Sequence, residues 1–240
     1  MIEVFSSKGT PKRQLALEFV RFAINTNVLR FGKFKTKARR LSPYFFNAGL
    51  FNSGYSLKEL SEYYSERLNE IREILAFDML FGPAYKGIPL VATTAVASVG
   101  YDLDLPFAYN RKEAKDHGEG GAVIGAPLQG RVLIIDDVIS AGTSVRESVE
   151  IIRAAGAEPA AVLIALDRQE RGLESALSAV QEVKELYGIP VFSIATLDDI
   201  VDTLVIQSQF DKQLTAEQKA DLELTLQQIF AYKEEYGVTS

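Results

Sequence analysis

No stretch limits the fold of this 240-residue chain more than Val132-Leu133-Ile134-Ile135-Asp136-Asp137. An unbroken aliphatic run of this length reads as a strand buried on both faces of a parallel sheet. Burying an unpaired carboxylate is expensive, so Asp136 and Asp137 must lie at the strand's end, facing a cavity, a cation or hydroxyl donors. Val138, Ile139, Ser140, Ala141, Gly142, Thr143 and Ser144 follow, and residues 145–152 then take up helical periodicity. A strand, a short loop and a helix N-terminus together aim several backbone N–H groups at one anion, and Ser140, Thr143 and Ser144 add hydroxyls there. The local reading is a phosphate cradle beside an acidic pair. Carboxylate and phosphate repel, so sugar hydroxyls or Mg²⁺ should lie between them. The competing reading is a plain strand end and helix start.

The rest of the chain alternates in the same way. Residues 11–25 have the spacing of an amphipathic helix, and 28–37 alternate apolar with basic positions as a half-exposed strand does. Pro43, Tyr44, Phe45 and Phe46 then bring three aromatics together, of which adjacent ones must point to opposite faces of a strand. Aromatics beside a basic run can form a platform for a flat anionic ring; a solvated edge strand is the alternative. A helix over 57–75, a strand over 77–81, a glycine-bounded loop carrying Tyr85 and Lys86, and a helix over 88–98 form a second strand–loop–helix unit, which makes Lys86 a candidate phosphate or pyrophosphate contact. After a strand over 106–109, residues 110–121 hold almost nothing apolar; Arg111, Lys112 and Lys115, with terminal glycines, suit a lid closing on a polyanion. A strand over 160–166 delivers Asp167 and Arg168 to the edge of the sheet where ligands bind in such folds, and Arg168 could fork onto a carboxylate. Residues 172–187 read as a helix, 189–194 as a strand and 197–205 as a short helix. Thr215 and Gln218 form a capping box opening a helix to about residue 236, expected to pack outside the site.

This pattern predicts an α/β fold with a doubly wound, mostly parallel central sheet flanked by helices. One domain spans 1–240, with a small N-terminal hood within residues 1–55 and a C-terminal helical extension over 210–240. The chain has no cysteine and a single histidine, which excludes disulfides, thiol catalysis and a His-rich metal site. A net charge of −6 argues against nucleic acid as a partner. There is no signal-like N-terminus and no apolar run approaching the ~20 residues a bilayer demands, so the expected location is the cytoplasm, with no membrane association.

The stretch from Val132 to Ser144 resembles the phosphoribosyl-pyrophosphate (PRPP) signature of type I phosphoribosyltransferases: four apolar residues, two acids, two apolar residues and a Ser–Ala–Gly–Thr loop. It is not a Walker A loop, because no Gly-Lys-Ser/Thr follows. Phe31-Gly32-Lys33-Phe34, Ser42 to Gly49, Gly82 to Pro89 and the loop from Arg111 to Gly121 extend the likeness, so the chain resembles the orotate phosphoribosyltransferase family from about residue 31 to 168. The resemblance implies transfer of phosphoribose from PRPP to orotate with Mg²⁺, giving orotidine 5′-monophosphate and pyrophosphate in pyrimidine synthesis. It implies that Asp136 and Asp137 hold the ribose hydroxyls and that residues through Ser144 cradle the 5′-phosphate. Lys37, with Lys35 as the alternative, would contact PRPP; Phe45 and Phe46 would meet the orotate ring; Tyr85 and Lys86 would line the pyrophosphate side. Arg111, Lys112, Lys115 and His117 would form a lid reaching into the neighbouring subunit of a homodimer, with Lys115 acting on the departing pyrophosphate. Ser140 and Arg168 would bind orotate. No metal ligand is expected from the protein itself, Mg²⁺ arriving on PRPP. Two rivals stand beside this reading: a phosphoribosyltransferase for another base, and a non-catalytic PRPP-binding regulator.

Overall fold

The computed structural model describes residues 11–36, 39–112, 122–139, 142–173 and 175–238. Helix α1 (Pro11–Asn25) leads into an antiparallel hairpin of β1 (Leu29–Lys35) and β2 (Leu41–Phe46), whose register slips between Phe31 and Phe34. There follow α2 (Gly54–Arg72), β3 (Met79–Gly82), α3 (Gly87–Ser98), β4 (Phe107–Asn110), β5 (Val123–Gly125), β6 (Arg131–Asp136), α4 (Thr143–Ala154), β7 (Glu158–Asp167), α5 (Ala179–Tyr187), β8 (Val191–Thr196), α6 (Leu197–Phe210) and α7 (Ala216–Tyr236). Six strands share one sheet in the order β5-β4-β3-β6-β7-β8. All pairings are parallel except that of β5 with β4 at the edge. The doubly wound, mostly parallel sheet expected from the alternation is therefore present.

The apolar run of β6 is divided between the two faces by strand pleating. Leu133 and Ile135 join a core built with α1, α2, α3, α6 and α7, whereas Val132 and Ile134 join the core under α4 and α5. All four are fully buried, and each such burial contributes about 2 kcal/mol relative to exposure. β7 repeats the division, Ala161 and Leu163 to one side, Val162 and Ile164 to the other. The hairpin's buried Tyr44 belongs to the first of these cores, so the hood and the sheet share apolar packing.

Three helices depart from the periodicity reading by three residues or more. α2 begins three residues earlier, because Ser53 and Ser56 cap each other's backbone N–H groups. α6 runs on to Phe210. The helix expected over 172–187 covers only Ala179–Tyr187. Ser178 caps it together with Gln181, and the residues ahead fold back on themselves: the Gly172 N–H donates to the Leu177 carbonyl. Arg40 donates to the Arg171 and Gly172 carbonyls, a tie 131 residues distant in sequence that no helical period registers. The capping box at Thr215 and Gln218 opens α7 as expected, but the helix does not stand clear of the sheet's carboxyl edge. Leu226, Ile229 and Tyr232 are buried, and the Tyr232 hydroxyl reaches Glu170 at 3.1 Å.

Candidate active site

From β3 the chain crosses through α3 to β4, on one side; from β6 it crosses through α4 to β7, on the other. The connection therefore reverses between the neighbouring strands β3 and β6, and in open α/β sheets the crevice at such a reversal is the ligand site. The loops leaving these two strands meet there. Lys86 Nζ lies 2.6 Å from Asp137 Oδ2, with the carboxylate side chain 8% and the lysine 55% exposed. The loop after β3 is anchored from β4, where Asn110 Oδ1 accepts the Ala84 N–H at 2.7 Å.

Asp136 has a different environment. Ser144 Oγ donates to it at 2.8 Å and the Asp137 N–H at 2.9 Å, while its own carbonyl accepts the hydroxyl of buried Tyr64. Burial, and then the neighbouring Asp137 charge, push the Asp136 carboxyl up to about 7 against the pull of those two hydrogen bonds. Two acids are thus held side by side with one cation between them and the leaving loop, and one acid sits close to neutral protonation. Folded Asp136 binds its proton more tightly than unfolded Asp136. Its contribution to stability is therefore complete at pH below the ordinary carboxylate range and is lost as pH rises through about 7. The ligand-free protein is expected to lose stability over that rise. Thermal melts across pH check this: the wild-type melting temperature should fall from pH ~5 to ~7.5 while that of Asp136→Asn stays flatter. Parallel curves would refute the raised pKa.

Beyond the acids, Val138 and Ile139 pack into the two cores on either side of the sheet, so only their backbones are available to a ligand. Gly142 adopts φ 68°, left-handed, with open space where a Cβ would stand, and Thr143 begins α4 directly after it. The helix N-terminus thus opens beside Asp136, as the spacing implied. Ser140 and Ala141 lie outside the described residues, as do Lys37, Lys115 and His117. The stems of the 110–121 segment are described: the Arg111 N–H donates to the Ala122 carbonyl at 2.8 Å, and Lys112 Nζ stands 5.6 Å from the Tyr85 ring centroid. Cationic Lys112 and Lys86 and the exposed Tyr85 ring therefore gather at one mouth. Among the described residues no three His, Cys, Asp or Glu side chains converge to hold a metal ion. Two carboxylates opposed by Lys86 fit only an ion that brings its remaining ligands with it.

The hairpin sorts its aromatics by pleat. Tyr44 is fully buried, Phe46 packs with Phe19 and Phe51, and Phe45 turns the other way. There it stacks on Phe34 at 5.4 Å with the Arg30 guanidinium 5.8 Å from its ring, forming a cationic aromatic platform. Arg168, immediately past β7, stands over the Tyr44 ring at 5.1 Å and is paired with Glu170. Burial disfavours its charge, but Tyr44 and Glu170 outweigh that and hold it firmly protonated. The sequence reading missed Tyr64, Asn110, Glu170 and Tyr232; Tyr64, Asn110 and Tyr232 act across long sequence separations that periodicity cannot register, and Glu170 joins its neighbour Arg168 to the distant Tyr44 and Tyr232.

Residues 54–195 match the phosphoribosyl transferase domain family. Over 230 residues the chain is 61% identical to the orotate phosphoribosyltransferase of Bordetella avium strain 197N, covering 93% of this chain and 98% of that protein. This chain belongs to the orotate phosphoribosyltransferase family. Another member, from Thiobacillus denitrificans, is 58% identical over 92% of this chain and 97% of its own length. The crystal structure of the family member from Francisella tularensis superposes with a TM-score of 0.77 at 36% identity, covering 92% of this chain and 99% of that one. The fold of that family member is thus the one described here.

Proposed function

We propose that this chain transfers the 5-phosphoribosyl group of PRPP to orotate, releasing pyrophosphate and forming orotidine 5′-monophosphate in pyrimidine nucleotide synthesis. The observation that carries the reading is the acid pair facing an open helix N-terminus where the sheet's winding reverses. In this reading Asp136 and Asp137 accept hydrogen bonds from the ribose 2′- and 3′-hydroxyls. Backbone N–H groups from Val138 to Ser144, with the hydroxyls of Ser140, Thr143 and Ser144, hold the 5′-phosphate. Sugar hydroxyls at Asp137 take the place of Lys86, whose ammonium turns to the pyrophosphate beside Tyr85. As the C1′–oxygen bond breaks, positive charge grows on the ribose and negative charge on the leaving group. Lys86, Arg111, Lys112 and Lys115, with His117 in the same segment, stabilise the latter electrostatically. Mg²⁺ arriving with PRPP would supply further charge neutralisation at the pyrophosphate. Phe45 offers its face to the orotate ring, Phe46 supports it, Ser140 and Arg168 meet the polar atoms of the base, and Lys37 or Lys35 reaches PRPP from the hood. No covalent nucleophile is needed.

The working unit in this proposal is a homodimer whose 110–121 lids act across the interface, in the cytoplasm, with hood, sheet and C-terminal helix forming one catalytic body. No helix of the described residues is long and apolar enough to cross a membrane. The direct test is loss of orotate absorbance on adding PRPP and Mg²⁺, run beside adenine and hypoxanthine. Orotate alone should be consumed; turnover of either purine base in its place would refute the choice of base, and PRPP binding without turnover of any base would refute the enzyme. Lys115→Ala is expected to lower kcat about 10²-fold, the scale for one transition-state donor. Turnover within a few-fold of wild type would remove Lys115 from the lid's chemistry.

A further inference from the structure

We infer that Glu170, backed by Tyr232 of the C-terminal helix, is the positioning residue that aims Arg168 at the acidic base, so that α7 sets the affinity for orotate. This rests on the proposed role of Arg168 in meeting orotate. Glu170 Oε1 accepts Arg168 Nε at 3.0 Å and Nη2 at 2.8 Å, together with the Tyr44 hydroxyl at 2.8 Å. Its other oxygen accepts the Tyr232 hydroxyl at 3.1 Å. One edge of the guanidinium is therefore engaged by Glu170, and Nη2 also lies 3.5 Å from Ser42 Oγ. Among the described residues Nη1 donates to nothing. A guanidinium is a rigid planar fork, so holding its Nε edge dictates where the Nη1 donors point.

The turn that carries these residues is attached to α7 through both backbone and side chains. The Arg171 N–H donates to the Tyr236 carbonyl at 2.8 Å, and the Val238 N–H to the Gln169 carbonyl at 2.9 Å. Gln169, at a left-handed φ of 52°, exchanges hydrogen bonds with Asp198, which is in turn paired with Lys233 of α7. A Glu170 side chain only 13% exposed beside a buried tyrosine hydroxyl is a poor device for stability alone, since charges of this kind are matched or bettered by apolar packing. As a device for direction it is economical: every acceptor on Glu170 is used to orient Arg168 or to brace the brace.

The test is steady-state kinetics of the full-length protein with orotate and PRPP varied separately. Tyr232→Phe keeps the ring against Tyr44 and Tyr236 and removes only the hydroxyl. It is expected to raise KM for orotate about fivefold, and Glu170→Gln about tenfold or more, the scale for hydrogen bonds to charged groups. KM for PRPP and the melting temperature of Tyr232→Phe should stay near wild type. Combined with Arg168→Lys, which lacks the fork, Tyr232→Phe should add nothing further. Equal effects on both substrates, no effect, or full additivity with Arg168→Lys would overturn the inference. If Glu170→Gln does not fold, Tyr232→Phe decides alone. If Arg168→Lys itself leaves KM for orotate unchanged, base recognition by Arg168 has failed and this inference falls with it; an orotate effect in Arg168→Lys without one in Tyr232→Phe overturns the inference alone.

Discussion

Replacing both acids together, Asp136→Asn with Asp137→Asn, should lower kcat/KM for PRPP about 10³-fold, the sum of two charge-assisted hydrogen bonds to sugar hydroxyls. The fold should survive. Both side chains are nearly buried at the end of β6, where they repel each other and Asp136 is held close to neutrality. Asparagine matches aspartate in shape, keeps Oδ1 as acceptor for the N–H of residue 137, turns an amide NH2 toward the Ser144 hydroxyl oxygen in place of Oδ2, and removes the repulsion. At neutral pH the double variant is therefore expected to melt no lower than wild type while losing PRPP affinity by calorimetry. Unchanged PRPP affinity would contradict the ribose role. A collapse in melting temperature would show instead that the Lys86 to Asp137 pair at 2.6 Å is a structural tie.

The second large effect is expected at Gly82, the last residue of β3. A Cβ there would stand 2.6 Å from Val91 Cγ1 and 2.7 Å from the Gly87 carbonyl carbon. Gly87 is equally crowded, its Cβ position falling 2.6 Å from Pro83 Cδ. The two glycines let the strand end and the start of α3 touch backbone to backbone, closed by the Gly87 N–H to the Pro83 carbonyl at 2.9 Å. Backbone atoms cannot swing aside as a side chain can, so Gly82→Ala must move the whole loop. A loss of about 3 kcal/mol in urea unfolding is expected, the upper range for overpacking. Turnover should fall as well, because the displaced loop carries Tyr85 and Lys86. A variant with wild-type unfolding midpoint and rate would show that the close approach is unnecessary.

The two effects differ in how visible they are from residue order. The acid pair and its hydroxyl-rich loop are contiguous, and their meaning follows from local rules: a strand cannot bury two carboxylates unless it ends at them. The parallel strands of the sheet were legible for the same reason, since pleat and helical period operate within a few residues, whereas the three-residue edge strand β5 was too short to show a period. The largest boundary error falls where a distant partner intervenes. The stretch before α5 has a period compatible with helix, yet Arg40 and Tyr236 hold its backbone in a turn. The pairing of Phe45 with Phe34, and the turning of Phe46 toward Phe19, follow from a hairpin register that no single strand contains. Lys86 was recognisable as a cation at a loop mouth, but its partner 51 residues away was not.

Residue order alone therefore determined the alternation of strands and helices, the ending of β6 at two acids, the opening of a helix after a glycine, and the capping of α7. Each of these depends on interactions within about one turn or one pleat. The tertiary structure alone decided that Lys86 faces Asp137, that Tyr64 supports Asp136, and that the C-terminal helix reaches Glu170 beside Arg168. Those contacts join segments brought together only when both faces of the sheet are buried, and burial is a property of the packed whole that no local period encodes.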